Sequence, residues 1–280
     1  MAEVHRYAAF TTDPARGNPA GVVLDAQGLH DTRMQAIAAE IGYSETAFAR
    51  SAGDRRFALR FFSPRAEVAF CGHATIATAV ALAERLGTGD LVFDTPAGEV
   101  AVVTAADGDR IRASMRSVAT RSRPATSEEL EQALAALRWP AADLADAWPP
   151  HVASAGNDHL VLVARSRERL ARLDYDFTAL QHLMTGRGWT TVQLLWAQDE
   201  EVFHSRNPFP VGGVVEDPAT GAAAAALGGY LRELGLVPEP RRLLVVQGED
   251  MGRRSELWVD VRPDDAHVLV TGHAVPIPQQ

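Results

Sequence analysis

The chain contains one cysteine, Cys71, and no lysine, since all 27 of its Lys and Arg positions are Arg. A single thiol excludes an internal disulfide, a cysteine-rich zinc site and a racemase that works with two thiols. Without lysine there is no Schiff base to pyridoxal phosphate or to a carbonyl substrate, and no P-loop lysine. The two absences therefore remove several mechanisms that depend on a cofactor or a covalent intermediate.

Other common patterns are missing as well. No apolar run approaches the roughly 18 residues of a membrane span, and residues 1–10 lack the layout of a signal peptide. The net charge of −9 argues against nucleic acid or an anionic membrane as a partner. There is no HExxH or other metal-ligand spacing and no GxGxxG, Walker or GxSxG pattern. We therefore predict a cytoplasmic protein without nucleic acid or membrane as a partner, and without a metal or cofactor.

One stretch, Arg60–Gly87, has an unusual organisation. Its first half alternates apolar residues with turn-formers, and its second half is an Ala-rich helix that starts at Gly72 and stops at Gly87. The first turn of such a helix offers unpaired backbone N–H groups and a partial positive charge. Because Cys71 and His73 flank this opening, titratable groups lie where an anion would bind.

The same design returns at Gly213–Gly235, where an apolar strand and an acidic turn precede a second helix rich in small residues. Cys71 in the first stretch corresponds roughly to Asp217 in the second. Such a repeat predicts two similar halves whose helix openings face each other across a cleft. The length of 280 residues allows two lobes of ordinary size.

Helix signals also occur outside the repeat. Helical spacing predicts a helix over Thr32–Ile41, a second from a cap at Ser127 or Thr126 to about Arg138, and a third over Asp176–Thr185. The Pro- and Ala-rich segment 139–150 is the predicted crossover between the lobes. His159 is expected to be a core or surface histidine rather than a residue of the cleft.

Three residues have both a structural and a catalytic interpretation. Glu45 lies in a polar turn next to apolar residues, where desolvation would raise the pKa of a carboxyl group and let it take and return a proton. A solvated turn glutamate is the commoner case, however. The commoner interpretation at the second helix is that Asp217, or Thr220, caps it. A structural role is the commoner one for a lone His at position 73.

Four segments that span most of the chain stand out: GNPAGVV near the N-terminus, YSETAF, FFSPRAEVAFCGHATIATA and VEDPATG. Together they resemble the PhzF-like family of phenazine biosynthesis proteins. The resemblance implies the diaminopimelate-epimerase fold. This is an α+β fold with two pseudo-symmetric lobes, each an antiparallel sheet wrapped around a central helix, and an active site between the lobes. We expect an N-terminal lobe over 1–118 with its helix near 72–86, and a C-terminal lobe over 119–280 with its helix near 220–234. The boundary is approximate, and crossing of the C-terminal strands to the first lobe stays open.

The resemblance also assigns site residues. It implies that Glu45 is the catalytic acid/base, with His73 as a hydrogen-bond partner or proton relay. Asp217 would pair with a substrate amine or steer the proton transfer. Backbone groups of the two helix openings would bind the substrate, and the family often has Ser where this chain has Ala222. The expected substrate-binding residues are Gly72, Ala74, Gly221 and Ala222.

The predicted function is a cofactor-independent isomerase that moves a proton between carbons of a small anionic, carboxylated substrate. The resemblance further implies a homodimer. Two alternatives stay open. The first is a racemase or hydrolase that depends on Cys71, because a thiol at a helix N-terminus can be a nucleophile or base. The second is a non-catalytic binding member of the fold, to which the missing hydroxyl at Ala222 gives weight.

Overall fold

The computed structural model describes residues 2–278, which divide into two compact units. The first unit holds the described residues up to Arg116 and those from Thr271 onward, and the second is Ser117–Val270. The lobe boundary at residue 118 stays a prediction. The crossover predicted for segment 139–150 is wrong, because this segment lies inside the second unit.

Within residues 2–278 the chain forms six α-helices and seventeen strands. The helices are α1 (Asp31–Ile41), α2 (Gly72–Leu86), α3 (Ser127–Leu137), α4 (Arg167–Ala171), α5 (Phe177–Arg187) and α6 (Gly221–Glu233). The strands are β1 (His5–Ala9), β2 (Asn18–Val23), β3 (Glu45–Gly53), β4 (Arg56–Phe62), β5 (Glu67–Val68), β6 (Gly89–Thr95), β7 (Gly98–Asp107), β8 (Arg110–Arg116), β9 (Arg121–Pro124), β10 (His151–Ser154), β11 (Asp158–Val163), β12 (Trp189–Ala197), β13 (Val202–Phe209), β14 (Val214–Asp217), β15 (Arg241–Gln247), β16 (Ser255–Val261) and β17 (Leu269–Pro276).

The strands of the first unit close into a ring. β1 pairs antiparallel with β2 and with β17, β2 pairs parallel with β3, and β3 pairs antiparallel with β4. β4 continues parallel to β6, and β6, β7 and β8 follow as antiparallel neighbours. The pairing of β8 with β17 completes the ring, so this unit is a closed strand barrel.

The second unit repeats the order of pairings found in the first. β10 and β11 are antiparallel, β11 and β12 parallel, and β12 and β13 antiparallel. β13 pairs antiparallel with β14 and parallel with β15, and β15 pairs antiparallel with β16. This is the sequence of pairings from β1 to β7, so the repeat predicted from the amino-acid sequence is present in the topology.

Each sheet is mixed, although the sequence predicts antiparallel sheets. The parallel pairs β2–β3 and β4–β6 each enclose a helix, α1 in the first case and α2 in the second. Parallel neighbours need a crossover of a dozen or more residues, whereas antiparallel neighbours can be joined by a tight turn. The helices inserted between the strands provide the crossovers that the parallel pairs need.

A buried helix lies at the centre of each unit. In the first unit α2 packs against β1, β2, β3, β7 and β8, and in the second α6 packs against β9, β10, β11 and β16. Both helices are apolar on most faces, as an enclosed helix must be. A Cβ atom on Gly229 would lie 2.6 Å from Cβ of Thr120, so only glycine lets α6 approach this close. The predicted spans near 72–86 and 220–234 are confirmed.

The outer helices follow local sequence signals. α1 ends at Gly42, which takes a left-handed conformation with φ of 70°. α3 begins with a capping box in which Thr126 and Glu129 satisfy each other's backbone N–H groups. The three helices predicted outside the repeat are thus present, each within about two residues of its predicted ends. Among residues 2–278, no helix is long and apolar enough to cross a membrane.

His159 on β11 is a core residue of the second unit, since its side chain is fully buried. Nδ1 lies 2.8 Å from Oγ1 of Thr191, and Nε2 has no hydrogen-bond partner among residues 2–278. Burial disfavours the charged imidazolium and lowers the pKa of His159 from 6.5 to about 4. The histidine is therefore held neutral in the folded protein.

This histidine predicts a loss of stability in weak acid. Between pH 6.5 and 4 His159 is protonated in the unfolded chain and neutral in the folded one. Its contribution to the free energy of unfolding is therefore full above pH 6.5 and decreases as the pH falls towards 4. The difference between the two pKa values corresponds to about 3 kcal/mol in the free energy of unfolding. Urea unfolding at several pH values measures this, and His159→Gln should flatten the slope over that range. A slope equal to that of the wild type would contradict the assignment.

Candidate active site

The first unit brings Glu45, Cys71 and His73 together. Glu45 is the first residue of β3, just after the turn that follows Gly42. Cys71 is the N-cap of α2 and has an extended backbone, with φ of −146° and ψ of 112°. His73 is the second residue of that helix. The end of the connection that contains α1 thus lies beside the start of the central helix α2.

The three side chains are in mutual contact. Oε2 of Glu45 lies 3.6 Å from Nε2 of His73 and 3.6 Å from Sγ of Cys71. Sγ of Cys71 lies 3.3 Å from Nδ1 of His73. The sequence predicts that Cys71 and His73 flank one helix opening, and the family resemblance adds Glu45 to the site. The structure brings all three side chains together.

The cluster is sheltered from water. The side chain of Glu45 is 16% exposed and that of His73 is 5% exposed. Burial lowers the pKa of His73, against the opposing effects of the Glu45 charge and of a hydrogen bond to the backbone of Pro19. His73 is therefore neutral near pH 7.

The opening of α2 can attract an anion. No side chain caps its first turn and no acidic residue lies in that turn, so its first backbone N–H groups keep their partial positive charge. Gly72 is partly exposed, whereas Ala74 is buried. The amide of Gly72 is thus the more accessible of the two predicted binding groups.

In the second unit, Asp217, Thr220 and Gln247 form a hydrogen-bonded group at the opening of α6. Thr220 Oγ1 donates to Oδ2 of Asp217 at 2.7 Å. Nε2 of Gln247 donates to the Asp217 carbonyl at 2.7 Å and to Thr220 Oγ1 at 3.0 Å, and Oε1 of Gln247 accepts from the Thr220 backbone N–H. Gln247 is 1% exposed, so it is a fixed support for the other two.

The N-cap of α6 is Thr220, whose own side chain makes no capping hydrogen bond. The carboxylate of Asp217 lies just before this cap and accepts the Thr220 hydroxyl hydrogen. At the same opening Gly221 is buried and Ala222 is partly exposed. At the opening of α2 the order is the opposite, with Gly72 partly exposed and His73 buried.

Three supporting groups do not emerge from the sequence analysis. Ser44 Oγ lies 3.5 Å from Nε2 of His73, and its place beside Glu45 in the YSETAF segment could have indicated it. The backbone of Pro19 acts to raise the pKa of His73, against the larger effect of burial, and Pro19 lies in the GNPAGVV segment. Gln247 is 30 residues from Asp217 in the chain, and no local pattern connects the two.

Comparison with known proteins points to one family. The family model PhzC-PhzF, phenazine biosynthesis-like protein, matches residues 7–279. A curated Bacillus subtilis protein, the uncharacterized isomerase YfhB, is 30% identical over 98% of this chain and 96% of its own length. A crystal structure of a Bacillus anthracis phenazine biosynthesis protein of the PhzF family matches with a TM-score of 0.88 and 27% identity, covering 99% of this chain and 97% of that one.

A more distant structure supports the fold alone. A probable proline racemase of Agrobacterium radiobacter has a TM-score of 0.66 at 11% identity, with 98% of this chain and 91% of that chain covered. Racemases and PhzF-family proteins thus share this architecture. The α+β fold of two similar halves around central helices, of the diaminopimelate-epimerase type, is confirmed.

Proposed function

This chain belongs to the PhzC-PhzF family of phenazine biosynthesis-like proteins and is an isomerase, and on that premise we propose that it moves a proton between two carbons of a small carboxylated substrate without a cofactor. Glu45 removes the proton from one carbon and returns it to another. The observation that carries the proposal is the sheltered carboxylate of Glu45, 16% exposed and 3.6 Å from the His73 ring.

The surroundings of Glu45 suit a group that takes and returns the same proton. Few water molecules reach a largely buried carboxylate, so a bound proton exchanges slowly with solvent. His73 is neutral because burial lowers its pKa, and a neutral imidazole can both donate and accept a hydrogen bond. It can therefore support Glu45 in its protonated and its ionised form without adding a fixed charge.

Substrate binding is assigned to backbone and carboxylate groups. The amides of Gly72 and Ala74 at the opening of α2 attract the substrate carboxylate. On the strength of the family resemblance, we assign Asp217 to the substrate amine or to steering the proton, and Gly221 and Ala222 to substrate binding. The hydrogen bonds from Thr220 and Gln247 support this role, because they fix Asp217 at the edge of α6.

A screen in D2O tests the proposal. Small cyclic and linear amino and hydroxy acids are incubated with the wild type and with Glu45→Gln, and deuterium in the carbon skeleton is measured by mass spectrometry and NMR. Uptake by the wild type alone supports proton transfer through Glu45. Equal uptake by both proteins contradicts it. Tight binding of a ligand with neither deuterium uptake nor conversion to an isomer favours a non-catalytic binding protein.

A second candidate function has one observation in its favour, the 3.3 Å separation of Cys71 Sγ and His73 Nδ1. Such a pair could act as a thiolate nucleophile or base in a racemase or hydrolase. On our proposal, Cys71→Ala lowers the exchange rate by less than about tenfold, whereas loss of an essential acid or base costs about 10²- to 10⁴-fold. Deuterium exchange by this variant measures the difference, and a fall of the larger size would transfer the chemistry to Cys71.

A further inference from the structure

The contact of a thiol, an imidazole and a carboxylate has a consequence besides proton transfer. These three groups are the protein ligands that Zn²⁺ uses. We propose that Glu45, Cys71 and His73 form a site for a thiophilic divalent cation such as Zn²⁺, which inhibits the enzyme when it binds. The binding stands on the geometry of the cluster, and only the inhibition rests on the proposed function.

The donor atoms have the spacing of a tetrahedral site. Sγ of Cys71 lies 3.8 Å from Nε2 of His73 and 3.6 Å from Oε2 of Glu45, and Nε2 lies 3.6 Å from Oε2. Zinc bonds of about 2.3 Å to sulfur and about 2.0–2.2 Å to nitrogen and oxygen place tetrahedral ligands about 3.3–3.6 Å apart. The atoms therefore need to move by only a few tenths of an ångström.

The chemistry around the cluster favours a cation. A thiolate and a carboxylate together carry two negative charges, which balance a divalent ion in a site where water is largely excluded. Three protein ligands leave a fourth position for water or a substrate carboxylate.

Sequence spacing does not show this site. Glu45 and Cys71 are 26 residues apart, and a Cys-x-His pair within one helix would not have facing side chains. Cys71 escapes that restriction because its backbone is extended, whereas His73 is already helical. Folding thus produces a cation site that motif searches do not detect, and the expectation of no metal drawn from spacing does not apply to it.

Metal occupancy and proton transfer exclude each other at this cluster. Zn²⁺ bound to Oε2 of Glu45 withdraws electron density from the carboxylate, which lowers its basicity and weakens it as the group that takes the substrate proton. The cation would also occupy the space beside His73. We therefore expect Zn²⁺ to abolish exchange reversibly, with recovery when a chelator removes it.

Cobalt provides the test of binding, because tetrahedral Co²⁺ bound to a thiolate has a charge-transfer absorption in the near ultraviolet. Full-length protein freed of metal with a chelator is titrated with Co²⁺ and then with Zn²⁺. We expect one equivalent to produce the thiolate band and Zn²⁺ to remove it. The thiolate band is lost in Cys71→Ser. The affinity for Co²⁺ falls at least about 100-fold in each of the single variants Cys71→Ser and His73→Ala, since even changes to residues that only support the ligands cost 10- to 100-fold.

Exposed His182 on α5 supplies the matched control, and His182→Ala should bind Co²⁺ as the wild type does. Circular dichroism confirms that each variant is folded. The proposal is overturned if Co²⁺ gives no thiolate band, or if Cys71→Ser binds it with wild-type affinity. Cobalt binding without substrate exchange under any condition would contradict the proposed function but not the metal site. Exchange that persists in saturating Zn²⁺ would overturn the inhibition.

Discussion

Replacing Glu45 with Gln is expected to lower the proton-transfer rate by about 10²- to 10⁴-fold, because an amide has nearly the same shape as the carboxyl group but cannot accept the proton. Binding of the substrate should change far less, since the amides at the opening of α2 remain. The measurement is the rate of deuterium incorporation from D2O, with the dissociation constant of the substrate determined separately by calorimetry.

Glu40→Gln is a control of the same chemical type in the same unit. Glu40 is exposed on α1, five positions before Glu45, and its replacement should leave the rate at the wild-type value. Glu45→Asp adds a graded test, because it keeps the carboxylate but withdraws it by one methylene and should retain partial activity. A Glu45→Gln protein that is folded and turns over at the wild-type rate would show that another group is the base.

Replacing Glu216 with Ala is expected to destabilise the protein by about 3–5 kcal/mol. Glu216 makes a two-pronged ion pair with Arg206, through Nε to Oε2 at 3.0 Å and through Nη2 to Oε1. The two side chains are 10% and 6% exposed for Arg206 and Glu216. Without Glu216, the buried guanidinium of Arg206 keeps, within residues 2–278, only its hydrogen bond to the carbonyl of Ala171. Urea unfolding followed by circular dichroism measures the loss.

The exposed pair of Arg254 and Glu256 is the control for this prediction. Glu256 has a side chain that is 47% exposed, so Glu256→Ala should cost less than about 1 kcal/mol. The double variant Arg206→Met with Glu216→Leu should recover much of the loss, because it leaves no unpaired buried charge. A loss for Glu216→Ala as small as that for Glu256→Ala would mean that water or a rearranged neighbour compensates Arg206.

Glu216 also connects stability to the site. It precedes Asp217 on β14, where Pro208 is paired with Glu216 and Asn207 with Asp217. An ion pair that fixes this short strand therefore helps to fix Asp217, which Thr220 and Gln247 hold from the other side. Variants of Glu216 should be tested for folding before any effect on activity is attributed to Asp217.

The helices could be predicted because their signals are local. The boundary at Gly42 follows from the freedom of glycine to take the left-handed conformation that ends α1. The enclosed helices α2 and α6 are recognisable since both are apolar on most faces, and their predicted spans agree with the structure. The repeat of strand, turn and helix, visible in the sequence, reappears as a repeated order of strand pairings.

The parts that sequence could not predict depend on contacts between distant residues. β2 and β3 are parallel because the chain returns through α1 before β3 begins. No local residue pattern indicates this direction of pairing. The Cys71–His73 contact arises because an extended N-cap precedes a helical residue, whereas helical geometry alone would separate positions two apart. Gln247 reaches Asp217 only because β15 ends beside the opening of α6.

The most direct test of a single carboxylate shuttle is the fate of one hydrogen. A substrate found in the D2O screen is prepared with deuterium on the carbon that loses the proton, and is converted in ordinary water. If Glu45 carries that hydrogen itself, part of the deuterium appears on the receiving carbon of the product, and more appears at early times than after repeated turnovers. Product that holds only solvent hydrogen on that carbon from the first turnover would contradict the account, since the removed hydrogen would then be lost to water instead of being carried by a sheltered Glu45.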